Sequence, residues 1–250
     1  MLLAVDIGNT TIGFAVIHKT GRIESVTVID TDASSAKIKA VAAKILKTRV
    51  IPRAVICSVV PEASKVLENI LKRSLPVYVI GRDIMVPIKN RYKNPKQVGQ
   101  DRLVGAFGAM KIYGCPLIVV DLGTAITFDA VSAKGEYLGG VIVPGLRLSA
   151  ESLFRKTALL PHIKIMAPKH IIGKTTQESM LSGLFYGYGS LCKGMIDLLT
   201  AQLSLPWKKG TVKVVMTGGH TQLMKKFVSP KIRIIDEDLV FKGIYFLSRT

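Results

Sequence analysis

Two Asp-x-Gly turns constrain the architecture of this chain more than any other feature. Leu3-Ala4-Val5-Asp6-Ile7-Gly8-Asn9-Thr10-Thr11 and Ile118-Val119-Val120-Asp121-Leu122-Gly123-Thr124-Ala125-Ile126 are short apolar runs that end in Asp-x-Gly followed by hydroxyl or amide residues. Both resume apolar, in Phe14-Ala15-Val16-Ile17 and Ile126-Thr127-Phe128. A buried strand, a tight glycine turn and a second strand read as a β-hairpin, and its recurrence marks an internal duplication. The halves continue alike. In the first, Ile38, Val41, Ala42, Ile45 and Leu46 give residues 35–47 the apolar face of a helix behind Ser34 and Ser35. A strand over Ala54–Ser58 then enters Val59-Val60-Pro61 and a helix bearing Val66, Leu67, Ile70 and Leu71. In the second, a long helical stretch over about 176–203 precedes a strand at Val212–Met216, the turn Thr217-Gly218-Gly219 and a short helix near 221–227. The division is expected near Gly114-Cys115-Pro116, giving domains 1–114 and 115–250. Two such α/β halves facing each other would enclose a cleft, and the carboxyl ends of the strands would line it.

Composition narrows the function classes. With 250 residues, 48% hydrophobic and 21% charged, the chain can bury a real core. No apolar run approaches the roughly 18 residues of a membrane span, and Asp6 interrupts the N-terminal segment too early for a signal peptide. Cys57, Cys115 and Cys192 are odd in number, widely spaced and set among apolar residues, which reads as reduced core thiols of a cytoplasmic protein. His18, His162, His170 and His220 lack metal-ligand spacing, and no structural zinc is expected. The 35 Lys and Arg against 17 Asp and Glu give a net charge of +18. Basic residues gather at Lys89, Arg91, Lys93 and Lys96, at Lys208, Lys209 and Lys213, and at Lys225, Lys226, Lys231 and Arg233. Such a surface attracts polyanions without naming one, and no zinc finger or RNP-like aromatic strand accompanies it.

The turns carry the chemistry. Glycine lets the backbone approach a ligand closely. Asn9, Thr10 and Thr11 offer donors to a polyphosphate, and the carboxylate of Asp6 can hold Mg²⁺ directly or through water. The same residues suit a plain hairpin turn. The second copy at Asp121 and the glycines after the Val212–Met216 strand favour phosphate. Gly99-Gln100-Asp101-Arg102 opens an amphipathic helix with Leu103, Ala106, Phe107 and Met110 on its buried face. Asp101 is either a helix-start acid favoured by the dipole or a general base beside a guanidinium that can grip a carboxylate. Spacing leaves both open.

In order along the chain, Asp6-Ile7-Gly8-Asn9-Thr10, Tyr92-x-Asn94-Pro95-x-x-x-Gly99-x-Asp101-Arg102 and Asp121-x-Gly123-Thr124-Ala125-x-Thr127 are followed by four further elements. These are Gly139-Gly140-x-Ile142-x-Pro144-Gly145, Leu159-Leu160-Pro161, Thr176 and Thr217-Gly218-Gly219. This series resembles the type III pantothenate kinases from residue 1 to the Leu239-x-x-x-Gly243 segment. The resemblance implies an α/β fold of duplicated actin/hexokinase-like (ribonuclease H-like) domains facing a nucleotide cleft. It also implies ATP-dependent phosphorylation of pantothenate. By position, Asp6, Ile7, Gly8, Asn9, Thr10, Thr11, Ile12 and Gly13 would form the ATP phosphate loop, and Thr124 would touch ATP. Asp101 would be the catalytic base. Tyr92, Gly99, Gln100, Asp101, Arg102 and Thr176 would bind the substrate, Thr176 from a partner subunit of a homodimer. Asp121 would hold a monovalent cation, K⁺ or NH₄⁺, beside the Mg²⁺ that accompanies ATP. Gln100 stands where alanine is common in that family. The alternatives are another small-molecule kinase of the same superfold, or a catalytically silent regulatory relative that binds nucleic acid. Intact Asp6, Asp101, Arg102 and Asp121 favour the kinase, and nucleic acid is not expected as a partner.

Overall fold

Alternation along Leu2–Ile7 decides how the first half is layered. In a strand successive side chains point to opposite faces. Leu3, Val5 and Ile7 therefore share one core with Ile38, Ala42, Leu67 and Leu71. Leu2 and Ala4 share another with Val104, Phe107, Ile244 and Leu247. The computed structural model, which describes residues 1–204, 211–228, 232 and 234–249, shows this arrangement built from β1 (Leu2–Ile7), β2 (Thr11–Ile17), β3 (Ile23–Asp30), α1 (Ser35–Lys47), β4 (Ala54–Ser58), α2 (Pro61–Leu71), β5 (Val77–Val79), β6 (Lys89–Asn90) and α3 (Gln100–Tyr113). Strand order in the first sheet is β3-β2-β1-β4-β5. The β1–β2–β3 meander is antiparallel, and β4 and β5 join parallel to β1. Ser34 caps α1 by accepting from the amide of Lys37, and Pro61 starts α2 where a missing N–H costs nothing.

The second half repeats the plan with β7 (Leu117–Leu122), β8 (Ala125–Val131), β9 (Glu136–Pro144), α4 (Leu146–Lys156), α5 (Thr176–Ser182), α6 (Tyr188–Ser204), β10 (Lys213–Thr217), α7 (Thr221–Met224) and β11 (Ile234–Ile235). The order β11-β10-β7-β8-β9 matches β5-β4-β1-β2-β3 strand for strand. Ile118, Val120 and Leu122 face a core completed by Leu146, Leu181, Cys192 and Met224. Asp121, like Asp6, projects from the opposite face of its strand. The duplication expected from the two turns is therefore a duplication of topology.

Several details differ from the sequence reading. The chain forms two compact units, Met1–Ile112 with Leu239–Thr250, and Tyr113–Asp238. Helix α8 (Leu239–Leu247) thus belongs with the first unit rather than with 115–250, because its Ile244 and Leu247 complete the core under Leu2, Ala4 and Val55. The long helix over 176–203 is interrupted by a π-helical turn at Gly183–Gly187. Helix α3 is not amphipathic: Leu103 through Ala109 are all buried. The basic residues Lys208, Lys209, Lys231 and Arg233 lie outside the described residues. Among the described residues no helix is long and apolar enough to cross a membrane.

Candidate active site

In the first unit the strand alternation that buries Leu2 and Ala4 also turns Asp6 toward the α3 side of the sheet. Asp6 pairs in register with Gly13 on β2 and with Cys57 on β4. The turn between the strands is closed by the Gly8 amide donating to the Thr11 carbonyl at 2.9 Å. The Thr31 hydroxyl donates to the Gly8 carbonyl at 2.7 Å and holds the turn from the side. At the end of β4, the Val59 amide donates to the Ile7 carbonyl at 3.0 Å, so the chain leaves β4 beside the Asp6 turn.

Helix α3 begins at the same place. Asp101 sits in its first turn, half-buried, with Oδ1 accepting the Arg102 amide at 2.8 Å. A Cβ on Gly99 would collide with that Oδ1 and would lie 3.4 Å from Val59, so a larger residue there would displace the carboxylate. Burial holds the Asp101 carboxyl above the ordinary carboxylate range, against the downward pull of the Arg102 amide and guanidinium. The Cys57 thiol feels both carboxylates: burial first, then Asp6 and Asp101, push it well above its usual value. Asp6 and Asp101 therefore flank one point of the unit, and Cys57 there is a buried thiol rather than a nucleophile. Burial raises Cys115 and pushes Cys192 up to about 12. Gln100 packs its amide against the Gly81 turn, which fixes the entry into α3. Tyr92 is half-buried, and its amide donates to the Asn90 side chain at 3.0 Å.

In the second unit, Asp121 pairs in register with Thr127 on β8 and Thr217 on β10. The Gly123 amide donates to the Ala125 carbonyl at 3.1 Å, and the Gly145 amide to the Thr124 carbonyl at 3.0 Å. Gly218, at φ +96°, leaves β10 so close to Asp121 that a Cβ would collide with its carboxylate oxygen. The three turns after β7, β9 and β10 therefore converge around Asp121 and Thr124. Thr176 is exposed at the start of α5, behind Thr175, which caps the helix by accepting from the Glu178 amide at 3.2 Å.

One residue escaped the sequence reading. His220 follows Gly218-Gly219, and its amide donates to the Leu122 carbonyl at 2.9 Å. Its Nδ1 and the adjacent Thr221 Oγ1 are buried with no hydrogen-bond partner among the described residues. Burial, with the nearby Arg147 adding, lowers the His220 pKa. Its position directly after a glycine pair on a strand end was the available signal, which a search for metal-ligand spacing passes over. Among the described residues no three His, Cys, Asp or Glu side chains cluster into a metal cage. Mg²⁺ held mainly by substrate phosphates needs only one or two carboxylates, and Asp6 can supply one directly or through water.

Solved structures place the fold. A ROK family glucokinase from Streptomyces griseus, solved with glucose and AMPPNP, superposes with a TM-score of 0.54 at 13% identity, covering 99% of each chain. An inorganic polyphosphate/ATP-glucomannokinase from Arthrobacter sp. strain KM gives 0.51 at 17% identity, covering 99% of this chain and 98% of that one. The architecture is thus the α/β, actin/hexokinase-like one expected from the repeat. Among curated proteins, the type III pantothenate kinase of Persephonella marina is 43% identical over 98% of this chain and 97% of its own. That of a Sulfurihydrogenibium species is 37% identical over the whole of both. The family model for type III pantothenate kinase matches residues 2–198. With the turns, the strand order and this likeness in agreement, the chain belongs to the type III pantothenate kinase family.

Proposed function

We propose that this protein transfers the γ-phosphoryl group of ATP to the hydroxyl of pantothenate, giving 4′-phosphopantothenate for coenzyme A synthesis. The observation that carries the chemistry is Asp101: a half-buried carboxylate of raised pKa, fixed at the start of α3 beside the Asp6 turn. Phosphoryl transfer asks a protein mainly for positioning and for charge stabilisation. An alkyl hydroxyl is a poor nucleophile at neutral pH, so a base that accepts its proton as the new bond forms lowers the barrier. Raising the pKa of Asp101 makes it a stronger base.

The remaining roles follow the turns. Asp6 to Gly13 hold the ATP phosphates, with Thr124 on the nucleotide, and Mg²⁺ on those phosphates spreads the charge of the transferred group. Arg102 and Gly99 hold pantothenate, whose carboxylate suits a guanidinium, with Tyr92 and Gln100 at the edge of the same segment. Asp121, ringed by backbone turns, holds a monovalent cation. The protein works as a homodimer through the second unit, with Thr176 completing the partner's pocket. Support for this comes from Leu148, Phe154, Leu159, Ile171 and Ile172, which are exposed on that unit, Leu159 by 90% and Ile172 by 77%. Large apolar side chains left in water are candidates for burial against a second copy.

The test is ADP release from Mg-ATP in potassium buffer with pantothenate, glucose or acetate as acceptor. Release with pantothenate alone is expected. Release with glucose at a comparable rate would assign the protein to another small-molecule kinase class.

A further inference from the structure

We propose that the first unit carries a second ligand site, an anion pocket for a small phosphorylated molecule with a flat or apolar portion, at the end of its sheet remote from Asp6. A cavity of about 800 Å³ opens there, lined by Leu2, Ile17, Pro52 and Tyr245 and by the basic side chains His18, Lys19, Arg53 and Arg249. That volume lies within the range of small-molecule sites. Leu2 stands at the opposite end of β1 from Asp6, about 13 Å away at the rise of an extended strand, so this is not the reaction site.

Three observations separate the pocket from ordinary basic surface. Its cationic groups come from three different segments: the end of β2, the approach to β4, and the residues after α8. Among the described residues none of them pairs with a carboxylate, whereas Arg22, Arg49, Lys65, Lys72 and Arg82 of the same unit all do. The guanidinium groups are also held in place by neutral partners. Arg53 donates to the Ser248 carbonyl, and Arg249 donates to the Lys19 carbonyl at 3.2 Å and to the Tyr245 hydroxyl at 2.8 Å. The Tyr245 hydroxyl in turn donates to the Lys19 carbonyl at 2.8 Å. Charges fixed without neutralisation are preorganised for an anion, and the aliphatic floor with the Tyr245 ring suits a base or another apolar part.

Hydrogen–deuterium exchange reads the site locally, with pyrophosphate, ADP, adenosine and sulfate as probes in low salt. Pyrophosphate and ADP should slow exchange at residues 17–19 and 245–249, ADP at several-fold lower concentration, while adenosine and equimolar sulfate should not. Lys19→Gln, which leaves every hydrogen bond above intact, should weaken this protection about tenfold, and Lys19→Gln with Arg249→Gln should abolish it. Both variants should keep kcat and KM for pantothenate. Protection unchanged in Lys19→Gln, or matched by sulfate, would overturn the proposal. Equal potency of ADP and pyrophosphate would overturn the flat-portion requirement.

Discussion

Asp101 bears the most direct test. Asp101→Asn keeps the acceptor for the Arg102 amide but removes the base, so kcat should fall about 10²–10⁴-fold while ATP affinity, read by titration calorimetry, stays within a few-fold. An Asn variant with near-native kcat would remove Asp101 from the chemistry. Burial raises the Asp101 pKa, so the acid limb of the kcat/KM profile should lie above the usual carboxylate range. The same shift has a sign for stability. The contribution of the protonated group is full below the unfolded pKa and is lost as pH rises through the folded one. Asp101→Asn should therefore melt higher than wild type at neutral pH, with the gap closing in acid. Asp121→Ala should raise KM for ATP rather than for pantothenate and erase cation selectivity. Equal wild-type rates in potassium, sodium and tetramethylammonium would refute the cation role. These roles were only partly legible in the sequence. Asp6 and Asp121 announce themselves by repetition, but Asp101 reads equally as a helix-start acid until α3 is seen to begin beside the Asp6 turn.

At the level of elements, sequence periodicity located what is buried on one side and missed what is not. Helix α1, strand β4 and helix α2 fall where their patterns put them. Edge strand β3 passed unseen because most of its residues face water or only graze the core, which blurs the alternation. The burial of α3 on all sides was hidden by its charged first turn. Its reason lies in Gly108 and Gly243: a Cβ on Gly108 would come within 3.0 Å of the Gly243 Cα, so α3 and α8 cross in backbone contact. Gly243→Val should force the two helices apart and cost about 1–3 kcal/mol, visible as a lower denaturation midpoint. An unchanged midpoint would show that the crossing is not tight.

For the molecule as a whole, the fold class was legible because two copies of one pattern constrain topology more tightly than either copy alone. The assignment of α8 was not, since a helix's apolar face does not name the sheet it covers. Self-association is the property to measure at this scale. Light scattering should give twice the chain mass at assay concentration, and replacing Ile171 and Ile172 with serine should yield a monomer with pantothenate turnover at least tenfold lower. An active monomer would exclude a shared pocket. The return of α8 to the first unit has one more consequence, which concerns biosynthesis. Phe241 lies against Gly13 of the first hairpin, with a ring carbon 2.7 Å from where a Cβ would be. Yet the ribosome makes Phe241 only after all of 113–238, a delay of roughly ten seconds at common elongation rates. Until then Leu2, Ala4 and Phe107 lack the helix that covers them, so the core on that face of the first sheet can close only after 113–238 have been made.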